Sequence, residues 1–136
     1  MTYKVYICSV RKDMDLAYDL AKRIERAGIR VLMPKENFND DQHFAGKINN
    51  DLRKADEVIF ILTNNSIHSQ RLLFEMGFAA SLEKPLTPIL QGVDPSELPP
   101  VIREMQYIKY SDLDSYIARL QSNQESSKSA KLTKAQ

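Results

Sequence analysis

The sequence predicts an α/β domain built on a five-stranded parallel sheet with helices on both faces. Three observations carry that expectation. Strand-like and helix-like segments alternate five times along the chain, and parallel strands need just such long crossover connections. Val58 to Thr63, VIFILT, is a continuous apolar run of strand length, the pattern of a central parallel strand covered on both faces. Leu16, Leu20 and Ile24, with Ala17 and Ala21, repeat at helical spacing between two strand-like runs. At 136 residues the chain is long enough to bury a core as one domain, and its 43% hydrophobic and 27% charged residues are ordinary for a soluble globular protein.

Taken in order, Tyr3 to Cys8 is a β-branched and aromatic run read as the first strand, and Ser9 to Asp13 is a polar loop. Asp13 is positioned to cap the first helix, which Gly28 closes. Ile29 to Met33 reads as the second strand, stopped by Pro34. Lys35 to Asp41 has turn formers and no periodicity, so it reads as a mobile surface loop. Phe44, Ile48 and Leu52, spaced by four, mark a second helix ending near Lys54 to Asp56. After the VIFILT strand, Asn64 to Ser66 is a loop, with Ser66 or Ser69 available as a helix cap. The next helix ends at Glu83-Lys84-Pro85, and Leu86 to Leu90 follows as a strand. Asp94 to Pro100 is a proline-rich connection with room for one helical turn, Gln106 to Lys109 is a weak fifth strand, and Ser111 is placed to cap a last helix through Leu113, Ile117 and Leu120. Residues 1–122 form the expected domain. Residues 123–136, rich in Ser, Lys, Gln and Ala, read as a disordered polar tail.

Composition removes several functional classes. A net charge of +1 gives no field toward nucleic acid, and no run of 18 apolar residues offers a membrane span. With no basic and apolar leader at its start, the chain is expected in the cytoplasm. A single cysteine excludes an intrachain disulfide, and His43 and His68, 25 positions apart, suggest no metal site. Cys8, at a strand end, reads as a small buried residue rather than a nucleophile.

One acid stands out. Between Glu57 and Glu83 the only acidic residue is Glu75. On a helix, Leu72, Leu73, Met76, Ala79 and Ala80 share one stripe, Phe74 and Phe78 form a second ridge, and Glu75 falls at the stripe's edge. A carboxylate there is partly desolvated, so its pKa rises and it is either paired or functional. The plain alternative is an i, i+4 ion pair with Arg71, worth a few tenths of a kcal/mol. In a sheet of this kind ligands bind at the carboxyl ends of the strands. Three loops lie at that edge, 9–12, 34–41 and 64–69, and Glu75 is one to two turns into the helix after the third.

These residues resemble a Toll/interleukin-1 receptor (TIR) domain of the compact bacterial type over roughly residues 3 to 120. Tyr6-Ile7-Cys8-Ser9 with Lys12-Asp13 matches the family's first box, and Gly28 to Val31 its second strand. Pro34 to Asp41 stands for the long loop. Ser69, Arg71, Glu75, Gly77, Ala79, Lys84 and Pro85 match the helix after the third strand, and Asp94 to Pro99 a later connection. Arg71 stands where the family carries a tryptophan, and Asn39-Asp40-Asp41 where many members have Pro-Gly. The same helix, FEMGFAASLEKP, also looks like that of nucleoside 2-deoxyribosyltransferases, which use a glutamate nucleophile.

The TIR resemblance implies a flavodoxin-like TIR fold and cleavage of the nicotinamide–ribose bond of NAD, to ADP-ribose or to a cyclic nucleotide, in bacterial antiphage defence. Glu75 would be the catalytic residue. Ser9, Val10, Arg11, Glu36, Phe38, Ser69 and Arg71 would bind substrate, with Arg11 on a phosphate and Phe38 stacked on a ring. For Ser69 a helix cap is the alternative, and for Phe38 a loop aromatic covering the core. NAD would be a substrate rather than a cofactor. Implied partners are other TIR domains, met by self-association through the long loop, and a separate trigger or effector protein, since no second domain is expected in this chain. A non-catalytic interaction module and a deoxyribosyl-transferring enzyme remain alternative readings.

Overall fold

A computed structural model of the chain describes residues 2–33 and 50–135, with side chains described through residue 126. Among these residues nine elements follow one another: β1 (Lys4–Cys8), α1 (Met14–Arg26), β2 (Arg30–Leu32), β3 (Glu57–Leu62), α2 (Gln70–Ser81), β4 (Leu86–Leu90), α3 (Pro100–Arg103), β5 (Ile108–Lys109) and α4 (Leu113–Ala135). Residues 50–54 are also helical. All strands pair in parallel, in the order β2-β1-β3-β4-β5. The five-stranded α/β sheet expected from the alternation is therefore present, and its order reverses between β1 and β3.

Every residue of β3 is buried, as the unbroken apolar run Val58–Leu62 requires and with Glu57 at its start buried as well. Strand side chains alternate, so β1 and β3 feed two cores. Tyr6, Cys8, Phe60 and Leu62 pack with Leu72, Met76 and Ala79 of α2 on one face. Val5, Ile7, Ile59 and Ile61 pack with Leu20 and Ile24 of α1 and with Leu113, Tyr116 and Leu120 of α4 on the other. Gly28 closes α1 at φ +87, a left-handed turn that a Cβ would strain, and its N–H donates to Glu25 O at 2.9 Å.

Four expectations need correction. Asp13 precedes α1 but makes no cap hydrogen bond; its side chain is engaged elsewhere. Ser111 lies inside a 3-10 turn, Tyr110–Asp112, that runs directly into α4. The fifth strand is only Ile108–Lys109 rather than Gln106 to Lys109. Gln91 N–H donates to Leu62 O of β3, and alternation along a parallel ladder then turns the N–H of even-numbered β4 residues toward β5. Pro88 is one of these and has no N–H, so β5 pairs only with Ile89 and Leu90, beyond it. Finally, α4 continues through the expected tail to Ala135. No glycine or proline follows Pro100 to stop it. Asn123 donates to Glu57 at 3.4 Å, and the Gln124 side chain bonds both Tyr3 N at 2.9 Å and Gly28 O at 3.3 Å, so residues just past the expected boundary are tied to the domain. The Lys35 to Asp41 loop, together with Phe44 and Ile48, lies outside the described residues; Leu52 is buried as expected.

Two links explain motif residues as architecture. Lys84 Nζ donates to Arg53 O at 2.7 Å and to Ala55 O, satisfying carbonyls at the end of the helical residues 50–54. Asp94 caps the 3-10 turn Pro95–Glu97 by accepting from Ser96 N at 2.9 Å.

Glu83, just beyond α2, sits at φ 59, a left-handed conformation usually left to glycine. Glu83→Gly is expected to stabilise the domain by about 0.5–1 kcal/mol, the left-handed strain relieved less the added freedom of the unfolded chain. Urea unfolding measures this; a loss of stability would mean that the Glu83 side chain contributes more than its backbone costs.

Candidate active site

Ser69 starts α2 as its cap, accepting from Leu72 N at 3.2 Å. The side of α2 turned to the sheet carries Leu72, Glu75, Met76 and Ala79, while Leu73 and Ala80 are exposed. Glu75 thus lies within the buried stripe rather than at its edge, and is 4% exposed. The sequence pattern put the stripe about one residue off because Leu73 and Ala80 are as apolar as the residues that do face inward.

The helix sets Glu75 against the end of β1, within hydrogen-bonding reach of the Cys8 thiol. Arg71 Nε lies 3.8 Å from Glu75 Oε1, one turn back and half-exposed. Burial raises the carboxyl pKa to about 7; the Arg71 charge and the Cys8 hydrogen bond pull it down and lose. The same burial, and then the neighbouring carboxylate, push the Cys8 thiol well up, so Cys8 is a buried neutral thiol and no nucleophile. Beneath it Tyr6, 0% exposed, has a hydroxyl with no hydrogen-bond partner among the described residues. Burial first, and then the charges of Cys8 and Glu75, raise its pKa far above the usual phenol range.

Among the described residues two other carboxylates are buried, and they are satisfied differently. Glu57 accepts from Tyr3 Oη at 2.9 Å, from Tyr116 Oη, and at 3.4 Å from Thr87 and Asn123. Asp13 accepts from Thr63 Oγ1 at 2.7 Å and Asn65 Nδ2 at 2.8 Å. Among the described residues Glu75 has only a thiol and a long ion pair. Two clefts, of about 350 and 400 Å³, share Arg119 and open beside β5 and α4. The carboxylate lining the second is Glu57, whose four donors already occupy it, and that lining the first is Asp112, which is exposed.

The other expected site residues divide. Ser9, Val10 and Arg11 follow Cys8 directly, and so share the Glu75 edge. The Ser9 hydroxyl donates to Met14 Sδ at 3.5 Å, Val10 O accepts from Asp13 N at 3.0 Å, and Arg11 is exposed. Ser69 acts as a cap. Glu36 and Phe38 lie outside the described residues. Sequence reasoning missed the Asp13, Thr63 and Asn65 cluster. Its one signal was a polar Thr-Asn-Asn-Ser directly after a wholly apolar strand. Among the described residues no three His, Cys, Asp or Glu gather as a metal site, and no helix is long and apolar enough to cross a membrane.

A doubly wound sheet with a partly satisfied carboxylate at its switch point defines an α/β domain with a candidate site at the carboxyl edge of β1 and β3. The chain belongs to the TIR domain family, which matches it over residues 5–122. It is similar in fold to the TIR domain of the Toll-related receptor TRR-2 of Hydra magnipapillata, at 23% identity and a TM-score of 0.69, covering 83% of this chain and 88% of that one. A TIR-STING receptor from C. gigas, in complex with 2',3'-cGAMP, is 20% identical with a TM-score of 0.71; 86% of this chain is covered, but only 39% of the receptor. A CMP N-glycosidase of Clostridium botulinum, BcmB, is 21% identical with a TM-score of 0.59, over 86% and 97% of the two chains. No curated protein is similar enough in sequence to match.

A raised pKa links Glu75 to stability. Between pH 4.5 and about 7 the unfolded chain ionises this group while the folded one keeps its proton, so stability present below pH 4.5 is lost as pH rises to about 7. The loss amounts to about 3 kcal/mol. Glu75→Gln, which cannot ionise, is expected to gain that much relative to the wild type between pH 4 and pH 8. Urea unfolding at both pH values tests it, and a constant difference would refute a buried, proton-holding Glu75.

Proposed function

We propose that this TIR domain cleaves the bond between nicotinamide and ribose in NAD, with Glu75 as the catalytic residue. The carrying observation is a carboxylate, 4% exposed at the switch point, whose partners among the described residues are a thiol and a guanidinium 3.8 Å away. Nicotinamide departs as a neutral group, so the reaction needs no second acid to protonate it. It leaves an oxocarbenium-like ribose, whose positive charge an ionised carboxylate stabilises far better in a desolvated site than in water. Arg11 and Arg71, both at this edge, suit the substrate's phosphates. The product is ADP-ribose if water attacks and a cyclic nucleotide if the substrate's own base does. The reading extends to signalling in antiphage defence, with self-association completing the site and a separate trigger or effector protein.

Two observations favour other readings. Phe74 is 66% exposed beside the exposed Leu73 on α2, which suits a TIR–TIR contact without catalysis. A solved neighbour of the same fold is an RPS4 and RRS1 TIR domain heterodimer, 15% identical with a TM-score of 0.65. The likeness to a CMP N-glycosidase favours hydrolysis or transfer at a nucleoside or nucleotide.

Purified protein incubated with NAD, alone and under crowding, is expected to release nicotinamide. The rate should rise with pH through about 7 as Glu75 ionises, and Glu75→Ala should lose about a hundredfold or more. Parallel incubations with CMP and with deoxynucleosides separate the alternatives. Unchanged NAD at high protein concentration, or a Glu75→Ala variant as active as the wild type, ends the proposal.

A further inference from the structure

Asp13 is 5% exposed and stands at the start of α1, yet spends neither carboxylate oxygen on that helix. Both reach some fifty residues along the chain, to Thr63 Oγ1 at 2.7 Å and Asn65 Nδ2 at 2.8 Å. Thr63 Oγ1 also accepts from Asn65 N at 3.0 Å, while Thr63 N donates to Ser66 Oγ at 2.8 Å. Ser69 N donates to Ser66 O at 2.9 Å, and Ser69 Oγ caps α2 through Leu72 N at 3.2 Å. A continuous chain of hydrogen bonds thus runs from Asp13 to the cap of the helix that carries Glu75. The 3-10 turn Arg11–Asp13, closed by Asp13 N to Val10 O, holds the other end against β1.

We infer that Asp13 is a positioning residue for Glu75, clamping the loop after β1 to the β3–α2 loop across the switch point and so setting where α2 begins. The inference rests on the reaction proposed above. An aspartate suits the clamp because the donors come from two directions, and its two oxygens accept from both without a competing N–H. Asparagine in its place keeps one acceptor for Asn65 Nδ2 but turns an N–H toward Thr63 Oγ1, so the Thr63 hydroxyl proton loses its acceptor and both bonds lose their charge assistance. The elements packed around Glu75 contribute Arg71 from its own helix and Cys8 and Tyr6 from β1, with Asp51 acting on Tyr6. Asp13 is not among the charges acting directly on Glu75, and its effect passes through position.

The test uses the whole chain with Asp13→Asn, Thr63→Val and the double variant. Readouts are kcat and KM for NAD, and the Glu75 titration followed by NMR of carboxyl-labelled glutamate, assigned with Glu75→Gln. Folded Asp13→Asn is expected to lose about tenfold or more in kcat with KM little changed, as misplacement of a reacting group does. The Glu75 midpoint should fall from about 7 as water reaches the carboxylate, and the double variant should be no worse than the worse single one. Wild-type kcat and titration in folded Asp13→Asn, or losses that multiply in the double variant, overturn the clamp. If the wild type turns over no NAD, the proposed reaction fails by itself, and the Glu75 midpoint alone decides: lowered in Asp13→Asn it upholds the clamp, unchanged it overturns it. Should Asp13→Asn not fold, Asn65→Ala, on an exposed side chain, is read the same way, with a smaller loss in the same direction upholding the clamp and no change overturning it.

Discussion

Burying a carboxylate in an apolar core is costly unless its oxygens find donors, and the described residues of this small fold include three buried ones. How each is satisfied organises the rest of the molecule. Glu57, at the amino edge of β3, gathers two tyrosines, a threonine and an asparagine, and through them joins β4, α4 and the residue before β1. Asp13, at the opposite edge, gathers Thr63 and Asn65 and joins the first and third crossing loops. Neutral donors do the work in both places, and no cation is among their hydrogen-bond partners in the described residues.

Glu75 departs from that rule. Its helix presents it to a thiol, a weak donor, and to a guanidinium 3.8 Å away, and burial wins over both. Stability alone gives no reason to keep an ionisable group in such a place, since glutamine or methionine would fit the stripe at lower cost above neutral pH. Strain of this kind concentrates where chemistry needs it. The position is the one that topology favours for ligands, because β1 and β3 send their crossovers to opposite faces of the sheet.

The site depends on long-range neighbours that neither periodicity nor spacing can reveal. Glu75 was visible as an isolated acid on an apolar helix, and its raised pKa followed from that isolation. Its place in the stripe was not, because Leu72, Leu73, Met76, Ala79 and Ala80 offer two nearly equivalent apolar faces, and packing against β1 chose between them. Asp13 looked like a helix cap for a sound local reason, and lost that role to donors some fifty residues away. The tail beyond residue 122 looked disordered because its composition has no large apolar residue apart from Leu132, yet hydrogen bonds of Asn123 and Gln124 tie α4 to the domain past that point.

What the sequence determined by itself is the alternation of elements, the central strand, a cap at Ser66 or Ser69, the turn at Gly28 and the singularity of Glu75. All of these rest on local physics: side-chain period, turn chemistry and the cost of placing one charge among apolar neighbours. Tertiary structure alone decided the strand order, the length of β5 beyond Pro88, the partners of Asp13 and Glu57, and the meeting of Glu75 with Cys8. Each of these pairs groups far apart in the chain, and such pairings are selected by the burial and hydrogen bonding of the whole fold.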